Sequence, residues 1–362
     1  MTATAPLTGM QTKMLVMSVG DSYRVPVVFP MADGTGARHA ALRVTEAVER
    51  FTTLRSRPRH DRGAFTLEIG VVPTPDVGVE VGDPDALLRS GALRATPDMP
   101  FRAAVVRAGS GEVSVAAEMH HIAIDGPSLP VLAAFLAGTD TPPTTPEDVR
   151  RVQEQVCAWE REQDTVRASE DPLHDPVVDD VRMGSTERLS VNLDGDVVVI
   201  GARAARVSTR AHVQAAFEVA AERVLSGSAY GVTQSWRWGL DLDRYVGCTP
   251  VIVERRIGVG TVAERAHAVS TATADPRIRT QDRVVEAPTT VFSYESFGST
   301  RYVEVDRVPK SVVHVRYVDL GRSSRVVCEY DDRRMGARTA EALVSELVSA
   351  LDAGDRIVVG QR

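Results

Sequence analysis

Two adjacent histidines, His120 and His121, lead through three small or apolar residues to Asp125-Gly126. An imidazole with an ordinary pKa is largely neutral near pH 7, so it can take a proton from an attacking group or steer that group by hydrogen bonding. The residues in front alternate. Val113, Val115, Ala117, Met119 and His121 fall on one face of a strand, and Glu112, Ser114, Glu118 and His120 on the other. The apolar face runs into His121, which suits a buried base facing a cleft, while His120 points the opposite way and supports the loop. Pro127 then opens a helix whose apolar residues are Leu129, Val131, Leu132, Phe135 and Leu136. Gly126 lets the backbone turn tightly. Asp125 reads either as a helix cap or as a charge that locks the loop. Adjacent strand histidines diverge and no third ligand lies nearby, so no metal site is expected.

The chain that positions these residues has 362 residues, a net charge of −7 and 43% hydrophobic residues, enough for two domains with their own cores. The acidity argues against a nucleic-acid binder. Lys13 and Lys310 are the only lysines. The cluster Arg55, Arg57, Arg59, His60 and Arg62 reads as a solvated loop or as a phosphate contact near a mouth. Cys157, Cys248 and Cys328 lack metal spacing and read as reduced thiols of a cytoplasmic protein. No signal pattern opens the sequence, and no apolar run approaches the roughly 20 residues of a membrane helix.

In chain order, Arg24–Met31 reads as a strand whose prolines mark an edge or a strand end, and residues 38–51 as a helix. Strands follow at Phe65–Val72 and Val77–Val81, then a short helix over 84–92. The hairpin strands Phe101–Arg107 and Glu112–Met119 turn at 108–111. Glu147–Val166 is a long charged helix. An acidic, proline-containing stretch separates two domains, giving 1–170 as an N-terminal lobe, 171–186 as linker and 187–362 as a C-terminal lobe. In the second half Leu189–Leu193, Val197–Ala202, Tyr230–Arg237, Val251–Ile257, Thr289–Tyr294, Ser311–Asp319 and Ser324–Tyr330 read as strands. Helices cover 211–225, with Ser208-Thr209 as the cap, then 261–271 and 337–351. Strands and helices mix without regular alternation, an α+β pattern.

His120-His121-x-x-x-Asp125-Gly126 resembles the signature of the condensation domains of nonribosomal peptide synthetases, within the chloramphenicol-acetyltransferase-like superfamily. Companion segments occur in the same order. Leu7-Thr8-x-x-Gln11 resembles the first motif, and Arg50 to Arg57 the second, where Phe51 replaces the usual His. Arg237, Val246-Gly247 and the strand ending in Arg255-Arg256 resemble a later segment, with Cys248-Thr249-Pro250 near the usual Asn-Thr. Phe292-Ser293-Tyr294 resembles a Phe-Asn-Tyr strand, and Cys328 to Asp331 the closing Glu-Tyr segment. Chains of that family are several tens of residues longer, the shortfall falling after Trp159 and between about 265 and 290.

The resemblance implies an α+β fold of two chloramphenicol-acetyltransferase-like lobes in a V-shaped pseudo-dimer, with an active-site tunnel between them. It implies a free-standing, monomeric acyltransferase with His121 as base or positioning residue. An acyl or aminoacyl group would pass from the phosphopantetheine thioester of a carrier protein to a small-molecule amine or alcohol, with no permanently bound cofactor. An Arg55–Asp125 salt bridge would lock the loop, with His120 and Gly126 shaping it. Ser293, Tyr294 and Trp236 would line the tunnel, and Ser293 is a candidate oxyanion donor. Two alternatives stay open: a coenzyme-A-dependent O- or N-acyltransferase of the same superfamily, and a non-catalytic carrier-docking module. Gly258-Val259-Gly260, between a strand and a helix, also offers the context of a dinucleotide-binding turn, although no closing acidic residue follows on a second parallel strand.

Overall fold

The computed structural model describes residues 3–16, 23–61, 64–169, 186–225, 227, 229–235, 237, 242–274, 290–305 and 311–353. In chain order the elements are β1 (Thr4–Pro6), α1 (Gly9–Val16), β2 (Arg24–Pro30), α2 (Ala37–Arg50), a 3-10 turn (Thr52–Arg55), β3 (Arg57–Asp61), β4 (Ala64–Glu68), β5 (Gly78–Val81), α3 (Pro84–Arg89), β6 (Phe101–Arg107), β7 (Val113–His120), α4 (Ser128–Leu136) and α5 (Pro146–Ser169). They continue as β8 (Thr186–Asp194), α6 (Gly195–Ala204), α7 (Thr209–Val224), β9 (Ala229–Ser235), β10 (Pro250–Arg256), α8 (Val262–Ala274), β11 (Thr290–Ser296), β12 (Arg301–Tyr302), β13 (Val313–Asp319), β14 (Ser323–Asp331) and α9 (Ala337–Ala353). Among the described residues no helix is long and apolar enough to cross a membrane.

The chain divides into two units. The first comprises Met1–Glu162 with Ser235–Pro250 and Phe297–Arg307, and the second Gln163–Gln234, Val251–Ser296 and Val308–Arg362. The sequence pattern places everything after 186 in one C-terminal lobe. The structure instead groups 235–250 and 297–307 with the first unit: Tyr302 pairs with Val27 of β2, and Leu242 and Tyr245 pack on Val152 and Val156 of α5. Nearly all of the expected linker, 171–185, lies outside the described residues.

In the first unit a five-stranded sheet runs β12-β2-β7-β6-β5, and a three-stranded sheet runs β1-β4-β3. β7 is central, antiparallel to β2 and β6. Both of its faces are covered, and residues 115–120 are all buried. The polar face holds Glu118 fully buried, which costs several kcal/mol for an unpaired ion. Here Arg24 on β2 pairs with Glu118 through Nε at 2.7 Å and through Nη2, and Ala95 N donates to Glu118 Oε1 at 2.8 Å. β2 is not an edge strand. Pro30 ends the strand, and on the β12 side Pro26 is used only through its carbonyl, which accepts from Val303 N at 3.0 Å. The basic cluster is partly a strand: Arg57 and Arg59 on β3 pair with Glu68 on β4 at 3.0 and 2.9 Å. Hydrogen bonds from Arg59 and Arg57 hold the Glu68 carboxyl below the usual range. Arg62 lies outside the described residues.

In the second unit a six-stranded sheet runs β10-β9-β11-β13-β14-β8, with β9, β11 and β13 parallel and β13, β14 and β8 antiparallel. Helices α6, α7 and α9 touch one another and pack on it as a layer. Phe217 of α7 stacks on Phe292 of β11 at 4.9 Å. The run 197–200 is helical rather than extended. Asp194 caps α6 by accepting from Asp196 N, and α6 buries Val198, Gly201 and Ala202 at helical spacing.

Candidate active site

The 121–126 loop belongs to the first unit, and hydrogen bonds hold its backbone at several points. β7 ends at His120, so His121 sits in the turn that follows. His120 N donates to Pro100 O and His121 N to Tyr23 O, both at 2.8 Å. Ala123 N bonds back to His120 O at 3.0 Å, and Ile122 N donates to His120 Nδ1 at 3.2 Å. His120 is therefore a fully buried brace whose Nδ1 acts as an acceptor. His121 is half-buried, with its Nδ1 turned inward. Ile122 and Ile124 anchor the loop in the core at 1% and 0% exposure.

The loop is fastened from the N-terminus as well. Thr8 and Gln11 form a capping box on α1: Thr8 N donates to Gln11 Oε1 at 3.1 Å, and Gln11 N to Thr8 Oγ1 at 3.2 Å. That fixes the Gln11 side chain so that its Nε2 donates to Ile122 O at 2.9 Å. The spacing Thr8-x-x-Gln11 thus has a physical purpose, which is to present an amide donor to the histidine loop.

Asp125 is the other fastening, and its partner is Arg237 rather than Arg55. Arg237 Nη2 donates to Asp125 Oδ1 at 2.6 Å. Ser128 Oγ donates to the same oxygen at 2.6 Å, and Ser128 N at 3.0 Å. Thr249 Oγ1 donates to Oδ2 at 2.6 Å, Thr249 N at 3.2 Å and Ser235 Oγ at 3.2 Å. Arg237 also reaches the carbonyls of Leu242 and Tyr245, both at 2.8 Å. Burial alone would push the Asp125 carboxyl up. The Arg237 charge and the bonds from Ser128, Thr249 and Arg237 outweigh it, so the group is held below the usual carboxylate range. Asp125 is thus a structural anion joining the loop, the start of α4 and the 235–250 segment. Arg55 serves a different part of the chain. Its guanidinium donates to Val48 O at 3.2 Å and Gly70 O at 3.3 Å, tying the second motif to the last turns of α2 and to the turn after β4. Phe51, where the family pattern has a histidine, packs edge-on against Phe135 of α4 at 5.4 Å.

Gly126 departs from its expected role. Its φ is not in the left-handed region, and a Cβ there would meet no atom within 4 Å. Neither the turn nor the surrounding protein requires glycine. Trp236 lies outside the described residues. Ser293 and Tyr294, adjacent on β11, point to opposite faces of the sheet. Tyr294 shares the helix-covered face of Phe292, stacks on Tyr317 at 5.4 Å and donates to Asp319 Oδ2 at 2.7 Å. Ser293 lies on the other face, beside Thr233 and His314. The sequence does not signal Ser128, Ser235 and Thr249 as partners of Asp125. It does single out Arg237 by type, but not the residue that Arg237 pairs with.

The other candidate chemistries find little support. Burial pushes the thiols up, Cys157 to about 11, Cys328 to about 12 and Cys248 well above its ordinary value, so the reactive thiolate is scarce near pH 7. Thr261 and Glu264 form a capping box on α8, with Thr261 N donating to Glu264 Oε2 at 2.8 Å. The helix end that a dinucleotide phosphate would use is filled by this carboxylate. A cavity of about 440 Å³ lined by Arg43, Arg50 and Phe135 contains no residue of the 120–126 loop. Its arginines bind the Phe135 and Thr141 carbonyls at and just beyond the C-terminus of α4. Among the described residues no group of three His, Cys, Asp or Glu is placed to hold a metal ion.

No family model matches the chain, and no curated protein matches it in sequence. Solved structures match it over nearly its whole length. The first condensation domain of the calcium-dependent antibiotic synthetase, in complex with a substrate analogue, superposes with a TM-score of 0.73 at 18% identity, covering 97% of this chain and 96% of that one. The chain has the condensation-domain fold. A condensation domain that mediates chain release from the enacyloxin polyketide synthase shares it at a TM-score of 0.72 and 17% identity, over 99% of this chain and 84% of that one. So does the epimerization domain from the third module of tyrocidine synthetase B, at 0.70 and 11%, over 98% and 97%. The condensation-domain fold therefore hosts more than one reaction, and the choice among them falls to particular residues.

Proposed function

We propose that the protein is a condensation-type acyltransferase. It moves an acyl or aminoacyl group from the phosphopantetheine thioester of a carrier protein to the amine of a small molecule, forming an amide. The observation that carries this reading is the way the His121 loop is held. Gln11 fixes it from one side, and Asp125 with Arg237 from the other. A module that only docked a carrier would have no use for so much polar structure around one half-buried imidazole.

In this reading His121 accepts a proton from the attacking amine, or steers it by hydrogen bonding, as the amine meets the thioester carbonyl. The new C–N bond forms, the C–S bond breaks and the thiol leaves with a proton. Holding both substrates beside one imidazole makes the step effectively unimolecular. His120, Gln11, Asp125 and Arg237 act through His121 as positioning residues. The open space at Gly126 belongs to the incoming substrate, so glycine is kept for approach rather than for backbone freedom. The test combines purified protein, an acyl-loaded carrier and a panel of amines, with mass-spectrometric detection of product. Transfer from the carrier supports the reading. Transfer from acyl-coenzyme A alone would move the protein to the coenzyme-A-dependent class, and carrier binding without transfer across the panel would make it a docking module.

A further inference from the structure

The face of the second unit's sheet opposite Phe292 holds a second set of reactive side chains. Ser293 Oγ on β11 lies 2.7 Å from His314 Nε2 on β13 and 3.0 Å from Thr233 Oγ1 on β9. The next strand supplies a carboxylate, because Glu329 on β14 is the direct cross-strand partner of His314. Such partners share a face, with Cβ atoms about 5 Å apart. Ser293, His314 and Glu329 thus stand in line across three neighbouring strands. Glu329 is held: Arg188 Nη2 reaches its Oε1 at 2.9 Å and Arg316 Nη2 at 3.4 Å, while Arg316 also pairs with Glu295 at 3.2 Å. Ser293 and Glu329 are 5% and 8% exposed, and His314 is half-buried. A hydroxyl within hydrogen-bond reach of an imidazole, itself flanked by a carboxylate, is the arrangement that activates a serine nucleophile.

We propose that Ser293, His314 and Glu329 form a nucleophilic triad that hydrolyses acyl thioesters independently of His121. The hydroxyl proton turns from Thr233 to His314. Ser293 Oγ attacks the thioester carbonyl carbon as His314 Nε2 takes its proton. The C–S bond breaks, and the leaving sulfur receives that proton, giving a thiol and a serine ester. Water then attacks the ester, gives a proton to His314, and Ser293 recovers it as the C–O bond breaks. The sum is thioester plus water to carboxylic acid plus thiol. Glu329 orients His314 and is a positioning residue. Among the described residues of the sheet, Glu329, Arg316, Glu295 and Arg188 share the face and the neighbourhood of His314. Such an activity would clear acyl groups that find no acceptor.

The choice of a thioester as substrate rests on the acyl-transfer reading, whereas the reactivity of Ser293 does not. The experiment treats the full chain with a fluorophosphonate, which labels activated serines, and maps the modified peptide. It then follows hydrolysis of an acyl-N-acetylcysteamine thioester. The label falls on Ser293, Ser293→Ala abolishes it, and His314→Gln slows it by about 100-fold or more. Glu329→Gln slows it too, whereas Glu329→Asp, which keeps the carboxylate, retains most of the labelling rate. If a variant fails to fold, peptide mapping on the unaltered protein still decides. Labelling of Ser293 without carrier-dependent transfer would leave the triad standing and remove the condensation reading. Transfer to amines with no label on Ser293 would overturn the triad alone.

Discussion

Replacing Arg237 by alanine removes the cation that pairs with Asp125 in the core of the first unit. The two side chains are 9% and 2% exposed. Arg237 gives up bonds to Asp125, Ser128, Ser235, Leu242 and Tyr245. Ser128 and Thr249 still donate to Asp125, so hydrogen bonding survives while charge compensation is lost. Breaking a buried pair from one side costs about 3–5 kcal/mol, a large share of the roughly 5–15 kcal/mol that holds a domain together. The pH dependence has a definite sign. In the native protein the depressed Asp125 pKa contributes stability above the unfolded carboxylate value of about 3.9, and this is lost as pH falls through the lower folded value. Without Arg237, burial dominates and the folded pKa rises above the unfolded one. The deficit of Arg237→Ala is then largest near neutral pH and shrinks on acidification. Urea unfolding at several pH values measures it, and a double-mutant cycle with Asp125→Asn isolates the coupling. Arg55→Ala in the same cycle couples to Asp125 by no more than about 0.5 kcal/mol. A cost below about 1 kcal/mol for Arg237→Ala, or stronger coupling of Asp125 to Arg55 than to Arg237, would refute the reasoning.

Three further outcomes are expected. Gln11→Leu leaves Ile122 O without its donor and breaks the capping box, costing about 1–3 kcal/mol in denaturant unfolding and lowering transfer beyond what the lost folded fraction explains. Gly126→Ala leaves the melting temperature within about 2 °C, because nothing in the protein meets the new methyl, yet it weakens substrate use in steady-state kinetics. His212 on α7 is 1% exposed, both ring nitrogens lack hydrogen-bond partners, and burial holds its pKa below the ordinary value. Its titration leaves stability unchanged above pH ~6.5 and opposes the fold below, by up to about 1.4 kcal/mol per pH unit until the folded pKa is reached. His212→Leu flattens that slope in pH-dependent thermal melts.

Most elements are legible from period and punctuation. Hairpin β6–β7 follows from the Gly109–Gly111 turn, and α7 from Ser208, whose Oγ accepts from Ala211 N at 3.2 Å. Where local preference and tertiary packing disagree, packing prevails. The β-branched run Val197-Val198-Val199-Ile200 reads as a strand, yet the Asp194 cap and burial against α7 make it helical while Ile200 stays 49% exposed. Strand β3 is hidden because its side chains are charged; Glu68 across the ladder is what orders Arg57 and Arg59. In the candidate site the loop and its helix are readable, since both are local. The Asp125–Arg237 pair is not, because 112 positions separate the partners and the 235–250 segment belongs to the first unit despite its place in the second half. Charge type says that a buried carboxylate needs a cation, but only the fold chooses which.

The most direct test of the central claim is single-turnover acyl transfer from a loaded carrier protein to an amine, comparing the native chain with His121→Ala at matched folded fraction. The native chain forms amide, and His121→Ala lowers the rate by about 10²–10⁴-fold with carrier binding unchanged. Amide formation by His121→Ala within about twofold of the native rate would contradict the account.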